Sequence, residues 1–366
     1  MRPQVGLQTG FAVLLAGLLA LSAPARAAEA ASADDTAKYL AGLPVPAASP
    51  LAPLEAEAGW KQHASYFNTA FARVDKAQLS KVRDWSSAHI GAGLRKPTLY
   101  YFFSGPDFLY ANAFFPDATT YVMCGLEPVG PIPDLTKLKK GTASQALRTL
   151  QTAVRSLMGV SFFKTIDMKT ELRSGPVTGT LPILYAFLAR SGKTIGDVAL
   201  VQIGADGTIE PESGARTGAH GAKITFSTAG GPAQTLYYFS VNIANDGFGK
   251  SGLGQFGERL GVGNALVKSA SYLMHGGGFS QVRSFLMEKS SAIVQDDTGP
   301  PVALYDRTKW DVKPFGRYVG PISLFPGRGQ PKMTELFHKE KPGPLGFGIG
   351  YRHRMSESSL LLAVKK

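Results

Sequence analysis

Cysteine is almost missing from this chain: Cys124 is the only one in 366 residues. A single thiol excludes an intramolecular disulfide, a Cys-x-x-Cys redox pair and a lipid-anchoring cysteine behind a leader, so the core has to hold by packing alone. Histidine is scarce too. His63, His89, His220, His275, His338 and His353 are scattered with no His-x-x-x-His spacing, and neither a metal nor a cofactor is expected. Past the leader, no apolar run reaches the roughly 20 residues that a spanning helix needs, so no transmembrane segment is expected in the mature chain. Acidic residues are the minority, 27 against 39 Lys plus Arg. Gly-x-Ser-x-Gly, the mark of a nucleophile elbow, does not occur.

What is present begins with that leader. Arg2, the apolar run Phe11 to Leu21, Pro24 and the small-residue pattern Ala25-Arg26-Ala27 have the layout of a secretory signal peptide over residues 1–27. The mature protein is expected in the periplasm or secreted. Without Arg2 and Arg26, 37 basic residues face 27 acidic ones, a net charge of +10. The segment from Pro301 to Lys366 holds twelve basic and five acidic residues and supplies most of that excess. Such a surface attracts anions over a Debye length of roughly 8–10 Å. In an exported protein the expected partner is an anionic envelope polymer or an acidic protein, and not nucleic acid; the alternative is that these charges only solvate the surface.

Residues 28–58 are rich in Ala, Pro and Ser, as in Leu43-Pro44-Val45-Pro46, and read as a flexible arm. Residues 59–366 read as one α/β globular domain. From Tyr66 the apolar positions Phe67, Phe71, Val74, Val82 and Trp85 recur at helical spacing up to His89. The stretch Thr98 to Gly130 then organises the rest, with two aromatic and β-branched runs flanking a short amphipathic segment: strand, helix, strand. Thr142 and Gln145 resemble a capping box for a helix with the stripe Leu147, Leu150, Val154, Leu157, and Thr180 with Pro182 opens another. Strands are predicted over Val198–Ile203, Lys223–Ser227, Thr235–Ile243 and Ser291–Gln295, with helix over Phe256–Leu273 and Phe279–Lys289. The tail from Pro300 reads as a Gly/Pro-rich wrap with two short strands, Gly346–Tyr351 and Ser359–Val364. The expected fold is a mixed sheet covered by helices, with this C-terminal wrap around it.

Three motifs bear on chemistry. Ala244-Asn245-Asp246-Gly247-Phe248-Gly249-Lys250-Ser251 fits a relaxed phosphate-loop pattern, but Gly252, Gly254 and Gly257 follow where its helix should start, each costing about 0.8–1 kcal/mol relative to Ala. It reads as a glycine-rich loop. His275-Gly276-Gly277-Gly278 resembles the oxyanion loop of some lipases and esterases, yet without an elbow serine it reads as a glycine stop after a helix. The strand–helix–strand unit resembles a nucleotide-binding βαβ without its glycine fingerprint, which leaves Glu127 as a strand-end carboxylate that caps a loop or meets a ligand.

Asp296 and Asp297 leave a predicted strand at a turn, where α/β folds gather functional side chains, and Asp107 leaves another. Two such carboxylates can divide acid and base roles, so Asp107, Asp296 and Asp297 are the catalytic candidates. Glu127, Arg317 and Arg328 are the ligand-binding candidates, the arginines as anion holders. The alternative for the aspartates is turn and cap chemistry. The leading functional expectation is an exported protein that binds an anionic envelope component without catalysis. A hydrolase acting on an envelope ester or glycan comes second, and a scaffold or partner-binding protein using the Pro-rich arm third.

Overall fold

The structure, a computed structural model, describes residues 30–138, 142–160, 177–213 and 218–366. The signal-peptide segment lies outside the described residues. The chain enters through α1 (Ala33–Leu40), capped by Ser32, whose Oγ accepts from Asp35 N at 3.0 Å. Next come α2 (Ala58–Val74) and α3 (Ser80–His89), joined through one π turn at Asp75–Leu79. The expected flexible arm is instead built into the body over its described residues. Tyr39, Leu40 and Leu51 are buried, Ile195 N donates to Asp34 Oδ1 at 3.0 Å, and Arg190 Nε donates to Ala41 O at 2.7 Å. Composition suggested a tether because Pro44, Pro46 and Pro50 break regular structure; it could not show that Tyr39 and Leu40 find a distant partner surface.

The strand–helix–strand unit forms as expected: β1 (Thr98–Tyr101), α4 (Phe108–Phe114) and β2 (Thr120–Gly125), the strands parallel with Tyr100 opposite Val122. Then come α5 (Ala143–Val160), α6 (Leu181–Arg190), β3 (Lys193–Ile203), β4 (Ile209–Pro211), β5 (His220–Thr228) and β6 (Ala233–Ser240). After them lie the single turn α7 (Asn245–Phe248), α8 (Leu253–Leu260), β7 (Gly263–Val267), α9 (Ser280–Lys289), β8 (Ser290–Gln295), β9 (Trp310–Gly316), α10 (Pro331–Glu340) and β10 (Ser359–Lys365).

Among the described residues the strands make one mixed sheet, in the order β4-β3-β5-β6-β2-β1-β7-β8-β10-β9. Its centre, β6-β2-β1-β7-β8, is parallel, and antiparallel strands extend both sides. Because side chains alternate along a strand, Tyr101, Tyr121, Met123 and Leu266 enter a core shared with α1 to α6, while Tyr100, Val122, Cys124 and Val267 enter a second core under α7 to α10. The result is a single compact α/β body with helices on both faces. Both faces of the central strands are therefore dry, which is why they read as continuous apolar runs.

That dryness hid β7. The run Asn264-Ala265-Leu266-Val267 was read as helix, but α8 stops at Gly261 and the run is a fully buried central strand. A short apolar run carries no period to tell the two apart. The tail differs as well. β9 and α10 form where a loop wrap was expected, and 346–351 is loop, not strand, while β10 matches the expected last strand.

Candidate functional site

In an open parallel sheet the chain runs outward from the first strand in one direction, then returns and runs outward in the other, leaving a crevice at the carboxyl ends beside that first strand. Here the reversal falls between β1 and β7. The loops leaving β1, β2, β6 and β7 surround a cleft of about 140 Å³.

Under this end of the sheet lies a buried ion pair. Lys268, the residue after β7, holds its Nζ 2.8 Å from Asp107 Oδ2, with both side chains 2 % exposed. Tyr101 OH donates to the same oxygen at 2.7 Å, and Oδ1 accepts Tyr110 N at 3.2 Å, capping α4. Nζ also sits 4.0 Å from the centre of the Tyr110 ring. Burial pushes the Asp107 carboxyl up, opposed by the Lys268 charge and these hydrogen bonds. Every contact of Asp107 is thus internal: it clamps β1, α4 and β7 together.

Asp296 and Asp297 brace the loop after β7. Asp296 Oδ2 accepts Ser269 N at 2.8 Å, and Oδ1 accepts Thr298 N at 2.8 Å and Thr298 Oγ1 at 2.5 Å. Asp297 Oδ2 accepts from Tyr272 OH at 2.5 Å. Burial raises both carboxyls, and the adjacent Asp296 charge helps push Asp297 up to about 7. The loop they hold is strained: Ser269, Ser271 and Tyr272 have φ of 55°, 51° and 53°, and Phe103, after β1, has 62°. Left-handed residues other than glycine cost on the order of 1–3 kcal/mol each and persist where surroundings over-determine them. The loop at 346–351 completes the brace, since Tyr351 OH donates to Ser269 O at 3.0 Å.

Glu127 is the acidic side chain of the cleft wall. The cleft is lined by Phe103, Leu126, Val241, Ile243, Leu273 and Phe279 on its apolar side, and by Glu127, Asn242, Ser269 and Ser271 on its polar side, with Gly105 and Gly125 at the strand ends. Ser269 Oγ is buried with no hydrogen-bond partner. Asp107, Asp296 and Asp297 do not line this cleft, and the charge of Lys268 acts on both Asp107 and Asp296. Arg317 and Arg328 are exposed on the C-terminal loops, and neither lines the cleft. His275 is held by Gly299 O at 3.1 Å, and burial keeps its imidazole below the ordinary value. The 244–251 stretch, read as a glycine-rich loop, contains a short turn of helix in which Asn245 bonds Gly277 O, 2.8 Å away, and Ser280 Oγ, 3.1 Å away.

Sequence reasoning missed Lys268 and Ser269, because both sit in the segment read as helix. The available signal was an apolar run ending in Lys-Ser, the way a buried strand meets its functional loop. Among the described residues no cluster of His, Cys, Asp and Glu is arranged to hold a metal ion. Set against known proteins, the chain matches no family model, no curated protein and no solved structure.

Proposed function

We propose that this is an extracytoplasmic binding protein whose cleft at the carboxyl ends of β1, β2, β6 and β7 receives a small, partly apolar ligand. One observation carries the reading: the cleft stands at the reversal point of the sheet and is lined by both apolar and polar side chains. Leu126 and Leu273, which line it, are 49 % and 38 % exposed. In this reading the basic C-terminal loops, with Arg317 and Arg328 exposed, associate with anionic envelope polymer and do not take part in the cleft, which no Lys or Arg among the described residues lines. The test is a screen of small amphiphiles by thermal shift on the mature protein and on Leu126→Asp. Hits that stabilise the first and not the second support the reading; an absence of hits, or equal shifts in both, defeats it.

A second reading, a hydrolase acting on an envelope ester or glycan, draws on the strained backbone at Phe103, Ser269, Ser271 and Tyr272. Its carboxylate at the cleft is Glu127, since Asp107, Asp296 and Asp297 are committed to internal partners. Turnover of ester or glycoside probes that Glu127→Gln abolishes would favour it; binding without turnover would favour the first.

A further inference from the structure

We infer that Glu127 receives a positively charged nitrogen, an ammonium group carried on an apolar body, and that the cleft is built for a small cationic amphiphile; this rests on the cleft-binding reading above. Glu127 is 2 % exposed and lines the cleft wall. Its carboxylate is sparsely bonded for so buried a charge. Tyr238 OH reaches Oε2 at 3.4 Å and the Glu127 carbonyl at 3.1 Å, so one hydroxyl proton is shared and the better contact goes to the backbone. No Lys, Arg or His among the described residues pairs with it. A buried carboxylate left this way is unfavourable unless a cation offsets it, and the face it presents is the cleft.

Its position is set by close packing. A Cβ on Gly125 would lie 2.2 Å from Glu127 Oε2, 2.8 Å from Tyr238 Oη and 3.1 Å from Gly105 Cα. The carboxylate therefore lies across the bare Cα of Gly125. The cleft also offers aromatic faces: the rings of Phe103 and Phe279 stand 6.0 Å apart at 45° to each other. Phe103 holds φ 62° to put its ring there. A carboxylate with aromatic rings in an apolar cleft matches an ammonium ion and its alkyl substituents, and repels a carboxylate or phosphate.

The test uses octylammonium, octanol and octanoate as isosteric cationic, neutral and anionic probes, each below its aggregation concentration, titrated calorimetrically into the mature protein at pH 7. Octylammonium is expected to bind about ten-fold more tightly than octanol, the scale of one charge-assisted hydrogen bond, and octanoate more weakly than either. The net positive charge of the protein biases the outcome the other way, so a cation preference cannot come from the surface field. Glu127→Gln should erase the preference while keeping octanol binding, which also shows that the variant folds. If octanol and octanoate match octylammonium, the charge assignment falls and the cleft reading stands. If none of the three binds, both fall together.

Discussion

Asp107 and Glu127 follow neighbouring parallel strands at the same end of the sheet, and their carboxylates are held in opposite ways. Asp107 has a lysine at 2.8 Å, a tyrosine hydroxyl at 2.7 Å and a backbone amide, and it opens onto nothing. Glu127 is equally buried, has one shared hydroxyl at 3.4 Å, and opens onto a cleft. Depth of burial therefore does not separate a structural acid from a functional one; the completeness of its internal bonding does. The substitutions that follow should separate the two kinds.

Lys268→Met should have the largest effect. It leaves Asp107 buried beside Tyr101 without its cation, and removing one partner of such a pair costs about 3–5 kcal/mol. Urea denaturation would show this as a lowered midpoint with an unchanged slope. The double variant Asp107→Asn with Lys268→Met should recover much of the loss, because no unpaired charge remains. If the single variant is near neutral, Asp107 is not the clamp described.

His63 tests the same contrast through pH. Its Nε2 faces Leu40 O at 2.8 Å and must donate, so Nδ1 accepts from Gln151 Nε2 at 2.9 Å, and the neutral ring is satisfied on both sides. Burial lowers its pKa from 6.5 to about 4. Between those values the unfolded chain binds more protons, so the contribution is full above pH 6.5 and is lost as pH falls toward 4, about 3 kcal/mol in all. Asp297 acts with the opposite sign: raised from 3.8 to about 7, it costs stability as pH rises through that window. In stability profiles measured by denaturation, both act between about pH 4 and 7: His63→Phe should remove a rise of stability with pH there, and Asp297→Asn a fall. Reversed assignments would mean that these two groups do not control the profile.

How far the sequence could be read follows the same physics. The parallel centre of the fold was legible at β1, β2 and β6 because aromatic and β-branched residues fill those strands, and the stripe Leu147, Leu150, Val154, Leu157 announced α5. β7 was not, since four buried apolar residues have no period, and its loss hid Lys268 and Ser269 as well. Asp107, Glu127, Asp296 and Asp297 were found as strand-end acids, and the structure brings them to one end of the sheet. Which of them opens onto a cleft depends on Lys268, Tyr272 and Thr298, all distant in sequence or unremarkable in it.

Gly125→Ala comes next in size. The added methyl meets Glu127 Oε2, Tyr238 Oη and the Gly105 backbone, and such overpacking typically costs about 1–3 kcal/mol. It should also displace the carboxylate, so the preference for octylammonium should weaken along with the melting temperature. Lost stability with an intact preference would mean that the contact with Gly125 does not position Glu127.

The smallest expected change is the most informative. Glu127→Gln preserves volume and can still accept from Tyr238 while removing a charge that has no internal partner. Where Lys268→Met strands a charge, this substitution deletes one, and replacing an uncompensated buried ion by a neutral isostere is neutral or stabilising. Its unfolding midpoint should therefore match the parent within about 1 kcal/mol or exceed it. A loss on the scale expected for Lys268→Met would show that Glu127 is held from inside as Asp107 is, and the cleft would then have no free carboxylate to offer a cation.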